Sequence, residues 1–86
     1  MDHLSALAQK NLGDKIADKR KQAAAEVESV VRGMKSRTDT HGMLELAEAI
    51  HQRYISNIQQ PNMRKGGCLA LAAISVALQR VRVLFL

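Results

Sequence analysis

The residues of this chain that are able to do chemistry are few, and their spacing is poor for it. His3, His41, His51 and Cys68 are the side chains a transition metal would take, yet no Cys-x-x-Cys or His-x-x-x-His pair occurs. A structural zinc needs four convergent ligands, so no metal site is expected. Lys65-Gly66-Gly67 sets glycine beside lysine, but a P-loop follows a strand and ends in Gly-Lys-Ser/Thr. Neither a Gly-x-Ser-x-Gly elbow nor a Ser/His/Asp grouping offers a nucleophile. Glu26 and Glu28 lie two apart, on different faces of a helix, where solvation is their ordinary role. No catalytic residue and no cofactor site are expected, and the chain reads as a non-enzyme. Cys68 is the single cysteine, which excludes an internal disulfide and fits a reducing compartment. Its expected role is that of a small buried apolar side chain.

What remains is positive charge. The formal net charge is +5 and the pI about 9.9, a balance that favours acidic partners without choosing among protein, nucleic acid and lipid. Lys15, Lys19, Arg20 and Lys21 precede one apolar stripe, and Arg64 and Lys65 precede another. Cations near a helix N-terminus oppose the macrodipole by ~0.3–1 kcal/mol each at exposed sites. Asp14 or Asp18, an acid of an adjoining unit, or an external anion is expected to compensate. Lys19, Arg20, Lys21, Arg64 and Lys65 are therefore the candidate partner or inter-repeat contacts, set against the plainer reading of a solvated, partly self-paired face.

Two further function classes follow from the same composition. A small basic helical module for nucleic acid is one, but Tyr54 and Phe85 are the only Phe, Tyr or Trp residues, too few to stack on bases. No helix offers an Arg/Asn/Gln-rich face to read a major groove. A membrane-associated peptide using its apolar C-terminus is the other. The uncharged run Gly66–Leu78 is shorter than the ~20 apolar residues a bilayer span needs, and is expected to be a core helix. No secretory signal is read at Met1-Asp2-His3-Leu4, which lacks a cationic start and a continuous apolar stretch.

These side chains need elements to hold them, and the periodicity supplies four helices. The first runs roughly from Leu4 to Ile16, with Leu4, Leu7, Ala8 and Leu12 on one side and Gly13-Asp14 inside or near its end. The second spans about Asp18 to Met34, where Ala23, Ala24, Val27, Val30, Val31 and Met34 make one stripe. A polar stretch from Gly33 to Gly42 reads as a loop, with Asp39 or Thr40 capping the next helix. That third helix covers about Met43 to Ile58, burying Met43, Ala47, Ile50, Tyr54 and Ile58. Tyr54 is expected in the core with its hydroxyl at the rim. Pro61 closes it, and Asn62 is the expected cap of a fourth helix from Met63 to at least Leu78. The fourth helix is apolar nearly all round and is expected to be covered on more than one side.

Laying Lys19-Arg20-Lys21 over Met63-Arg64-Lys65 brings Ala23 to Gly67, Val27 to Leu71, Val30 to Ile74 and Met34 to Leu78. A period of ~40–47 residues with two helices per unit marks HEAT and armadillo arrays. The expected fold is all-α: an α-solenoid fragment, HEAT/armadillo-like, of about four helices in two stacked αα-hairpins. The hairpins occupy about residues 4–34 and 43–78, within a unit of 1–78, and residues 79–86 form an atypical tail. Gly66-Gly67 admits two readings: a close contact inside the helix, or a loop with the helix starting at Cys68.

Two segments carry a resemblance. Asn11-Leu12-Gly13-Asp14-Lys15 followed by Lys19-Arg20-Lys21-Gln22-Ala23-Ala24, and later Arg64-Lys65-Gly66-Gly67 followed by Leu71-Ala72-Ala73, resemble the N-terminal region of the vacuolar HEAT-repeat scaffold subunit of the PIKfyve complex. The likeness spans about residues 10–78. It implies a regulatory, non-catalytic scaffold that organises a phosphatidylinositol 3-phosphate 5-kinase and a Sac-type lipid phosphatase. The lipid controlled would be phosphatidylinositol 3,5-bisphosphate, on the cytosolic face of endosomal or vacuolar membranes. It also implies peripheral membrane association through the complex and no nucleic-acid partner. Family members continue through many more repeats, and residues 79–86 depart from that continuation, so a truncated or alternative end is expected. Self-assembly and phosphatase binding do not carry over to so short a chain.

Overall fold

The computed structural model describes residues 3–84, with side-chain surroundings described through Leu78. Four α-helices are present and no strand occurs among the described residues. α1 (Ala6–Leu12) begins at Ser5, whose Oγ accepts from the Ala8 N–H at 3.1 Å. It ends at Gly13, several residues earlier than the periodicity places it. α2 (Ala17–Ser36) follows after a short turn in which the Asp14 carboxylate accepts from the Ile16 N–H at 2.8 Å.

α2 closes in a tight turn. The Asp39 N–H donates to the Met34 carbonyl (2.7 Å) and the Thr38 N–H to the Lys35 carbonyl (3.0 Å). This is the paired bonding of a Schellman end, which requires a left-handed residue between. Thr38 fills that place with φ of 58°. Asp39 then caps α3 (Thr40–Ile50) by accepting from the Gly42 N–H at 2.9 Å, as its sequence position predicts.

α3 passes without a break into a π-helical turn, His51–Ile55, closed by the Ser56 N–H bonding back to the His51 carbonyl at 2.9 Å. The helical path therefore stops at Ile55, and Ile58, expected in the core, is 81% exposed in the following loop. Pro61 does not end this helix; it opens α4 (Pro61–Leu84). Proline suits the first helical position, because its missing N–H is one the helix cannot bond anyway. Asn62 is thus inside the helix rather than its cap. The backbone of residues 79–84 continues α4.

The core is a single apolar cluster. Leu4, with Ala8 and Leu12 of α1, meets Ala23, Val27, Val31 and Met34 of α2, Leu46, Ile50 and Tyr54 of the third helical stretch, and Ala70, Ile74 and Ala77 of α4. α2 and α4 form the most extensive helix pair, tied at its end by Lys35, whose Nζ donates to the Leu78 carbonyl at 3.1 Å. Leu7, expected inside, is 67% exposed, because the one-turn spacing Leu4–Ala8–Leu12 is the row that faces α2. α4 is not covered all round either. Cys68, Ala72, Ser75, Val76 and Leu78 face solvent.

The glycine pair lies within α4, buried. A Cβ on Gly66 would overlap the Leu12 carbonyl, and one on Gly67 would stand 2.8 Å from both Tyr54 Cβ and Ile55 Cδ1. Of the two readings of this pair, the close helix contact is the one found.

Candidate partner-binding groove

Five cations stand out by their positions in the sequence, and the fold treats them differently. Lys19 and Lys21 are exposed on α2. Lys19 stands 3.9 Å from the Asp14 carboxylate, the local compensation expected for a basic helix start. Arg20, one turn into the same helix, points the other way and is 8% exposed. Its Nη1 donates to the Asp14 carbonyl at 2.7 Å, while its enclosed Nε has no acceptor among the described residues. A buried guanidinium normally finds a carboxylate, since burying an unpaired charge is costly. Here Asp14 offers only its backbone oxygen, its carboxylate being engaged by Lys19 and the Ile16 N–H.

Arg64 and Lys65 are exposed on the first turn of α4, where no acidic residue stands. No ion pair to either occurs among the described residues. The close contact of Gly66 with Leu12 sets the start of α4 directly beside the α1–α2 turn. Beside Arg20 of α2, the start of α4 carries an open groove of about 630 Å³ lined by Arg20, Pro61, Arg64, Lys65, Cys68 and Leu69. Five of these six recur at i, i+3, i+4, i+7 and i+8 along one face of α4, so the wall is a helical face. Pro61, Leu69 and the Cys68 side chain make its floor apolar, and the alkyl stems of Arg64 and Lys65 extend it.

The fold therefore brings Arg20, Arg64 and Lys65 to one groove and leaves Lys19 and Lys21 outside it. Pro61, Cys68 and Leu69 also line that groove, beyond what the sequence reading predicts. Their spacing with Arg64 and Lys65 is the signal that could have found them. Cys68 is exposed, not the buried apolar residue its type predicts, because the inward places on that turn belong to Gly66, Gly67 and Ala70.

Two other polar assemblies have structural tasks. Glu26, expected merely to be solvated, is half-buried and takes Ser5 in a two-bond clamp: the Ser5 N–H at 2.8 Å and the Ser5 hydroxyl at 2.9 Å. The Tyr54 hydroxyl donates to the Gln9 carbonyl at 2.6 Å, which joins the third helical stretch to α1. Burial pushes its pKa above the ordinary value, with the neighbouring Arg53 charge acting in the opposite sense. Among the described residues no group of three metal-capable side chains converges. No helix there is long and apolar enough to cross a membrane.

Comparison with known proteins adds the lineage. No family model matches the chain, and no solved structure matches it. A curated relative does: Protein VAC14 homolog of Arabidopsis thaliana, 38% identical over 80 residues, which is 90% of this chain and 11% of that protein. The chain thus spans about one-ninth of the length of the curated relative it matches. The alignment runs through both motif-bearing helices, as it must at that coverage, and over those residues this chain is similar to the VAC14 homologue.

Proposed function

We propose that this chain is a non-catalytic segment of a helical-repeat scaffold, one that holds partners and performs no reaction. The observation that carries the reading is the equivalence of α2 and α4. Ala23, Ala24, Val27, Val31 and Met34 are buried on α2, and Gly66, Gly67, Ala70, Ile74 and Ala77 are buried on α4. The two inward stripes have the same spacing, as stacked two-helix units of about residues 4–34 and 43–78 require. The VAC14-homologue relationship supports the same conclusion.

In its finer form the proposal is the regulatory role implied by the paired motifs. The chain contributes to a complex that joins a phosphatidylinositol 3-phosphate 5-kinase to a Sac-type lipid phosphatase. It sits peripherally on the cytosolic face of endosomal or vacuolar membranes, and phosphatidylinositol 3,5-bisphosphate is the lipid under control. Affinity purification of the tagged chain from cells, with the kinase and the phosphatase quantified, tests this. Enrichment of the kinase is the expected result. Recovery of neither enzyme, with the tagged chain folded and abundant, removes the reading.

A further inference from the structure

We propose that the groove formed by Arg20 of α2 and the start of α4 is a docking site for an acidic amphipathic peptide, one that sets an apolar side chain on the groove floor and a carboxylate against its cationic rim. The inference deepens the scaffold reading, on which it rests, by naming the chemistry of a partner. Its first support is Arg20. This side chain is more than nine-tenths buried in the groove wall; among the described residues its Nε lacks an acceptor and its one side-chain bond is to a neutral carbonyl. A guanidinium so placed, in a region of lowered dielectric, raises the local potential at the mouth of the groove. Its second support is the rim: Arg64 and Lys65 add two further cations, and none of the three has an ion-pair partner among the described residues.

The composition of the floor decides the kind of anion. A phosphate or a lipid headgroup is held by donors converging on its oxygens. Here Arg64 and Lys65 are both exposed and have no ion-pair partner among the described residues, and most of the lining is apolar, from Pro61, Cys68, Leu69 and the cation stems. An occupant gains from such a floor only if it brings apolar surface as well as charge. A helical segment with Leu and Glu at i, i+3 and i+4 spacing brings both on one face, the usual currency of helix-in-groove recognition. The volume, about 630 Å³, falls in the range of preformed binding clefts, roughly 300–1,000 Å³.

The test uses the isotopically labelled 86-residue chain and a synthetic helical peptide carrying Leu and Glu on one face. A second peptide has every Glu replaced by Gln, and a third arm uses phosphatidylcholine vesicles containing phosphatidylserine. The Leu/Glu peptide is expected to bind and to move the amide signals of Arg64, Lys65, Cys68 and Leu69. The Gln peptide, and the variant combining Arg64→Glu with Lys65→Glu, are each expected to bind about tenfold more weakly. The charge-keeping pair Arg64→Lys and Lys65→Arg should stay within about threefold of the unchanged chain. Added salt should weaken binding. Equal affinity for the Glu and Gln peptides overturns the proposal, as do signal changes confined to another face, or binding to the vesicles without binding to the peptide. Since the unaltered chain is used with both peptides, a variant that fails to fold does not blunt the test. Failure here with the kinase still co-purifying refutes the groove alone; peptide binding without enzyme recovery refutes the scaffold role alone.

Discussion

Thr38 is the residue at which local chemistry and required geometry disagree most. The Schellman end of α2 needs a left-handed residue, and a β-branched side chain at positive φ meets its own backbone there. The conformation is held because two hydrogen bonds, from Thr38 and Asp39, depend on it. Thr38→Gly is expected to stabilise the chain by about 1 kcal/mol, the scale of the left-handed cost for a residue with a Cβ; the urea midpoint measures it. Tyr54 gives a second prediction. Its folded-state pKa lies above the ordinary value of 10.0, so the folded form keeps its proton longer than the unfolded form does. Its contribution is fully present below pH 10 and is lost as pH rises through the folded-state value. The thermal midpoint should therefore fall above about pH 10, and the part of that fall due to this group should vanish in Tyr54→Phe.

At the scale of elements, the pairing of α2 with α4 depends on small residues at the start of each stripe. The stripes superpose one residue away from the register that the basic triplets propose. Gly66 takes the place of Ala23, Ala70 that of Val27, Ile74 that of Val31 and Ala77 that of Met34. The lysines and arginines pointed to a unit of nearly the right length, but exposed charges tolerate a one-residue slip that buried positions do not. Gly66→Ala tests how much this contact matters. Its methyl would meet the backbone of Leu12, which cannot move aside as a side-chain tip does. A loss of roughly 3 kcal/mol is expected, at or beyond the top of the usual overpacking range. Loss of the cooperative thermal transition by circular dichroism would show it, and an unchanged midpoint would mean that α1 and α4 pack less closely.

For the whole molecule, the long dimension of 40 Å is set by α4, whose 24 residues rise about 1.5 Å each. One side of that helix serves the core and the other carries Ala72, Val76 and Leu78 into solvent. Chains of this length bury only ~60–65% of their unfolded surface, and repeat units draw much of their stability from neighbours. The chain by itself is therefore expected to associate, with a sedimentation coefficient that rises with concentration. Val76→Glu, at an exposed position, should reduce that association while leaving the helical content unchanged.

The sequence by itself determined the all-helical class, the inward row of α2, the cap at Asp39 and the burial of Tyr54, because each follows from short-range spacing or from the chemistry of a single residue. It also carried the similarity to the VAC14 homologue, through two motifs far apart along the chain. It did not determine that Leu7 and Ile58 lie outside, that Cys68 is exposed, or that Glu26 clamps Ser5. Those outcomes depend on where α1 stops, where the π-helical turn ends, and which side of α4 meets Leu12. Arg20 shows the division most clearly. Along the chain it is one of three adjacent cations with equal standing, and the helical rotation of 100° per residue separates it from Lys19 and Lys21. Only the packing of α4 beside α2 gives its guanidinium Arg64 and Lys65 as neighbours in one groove, since the potential of a site depends on distance through space and not on separation along the chain.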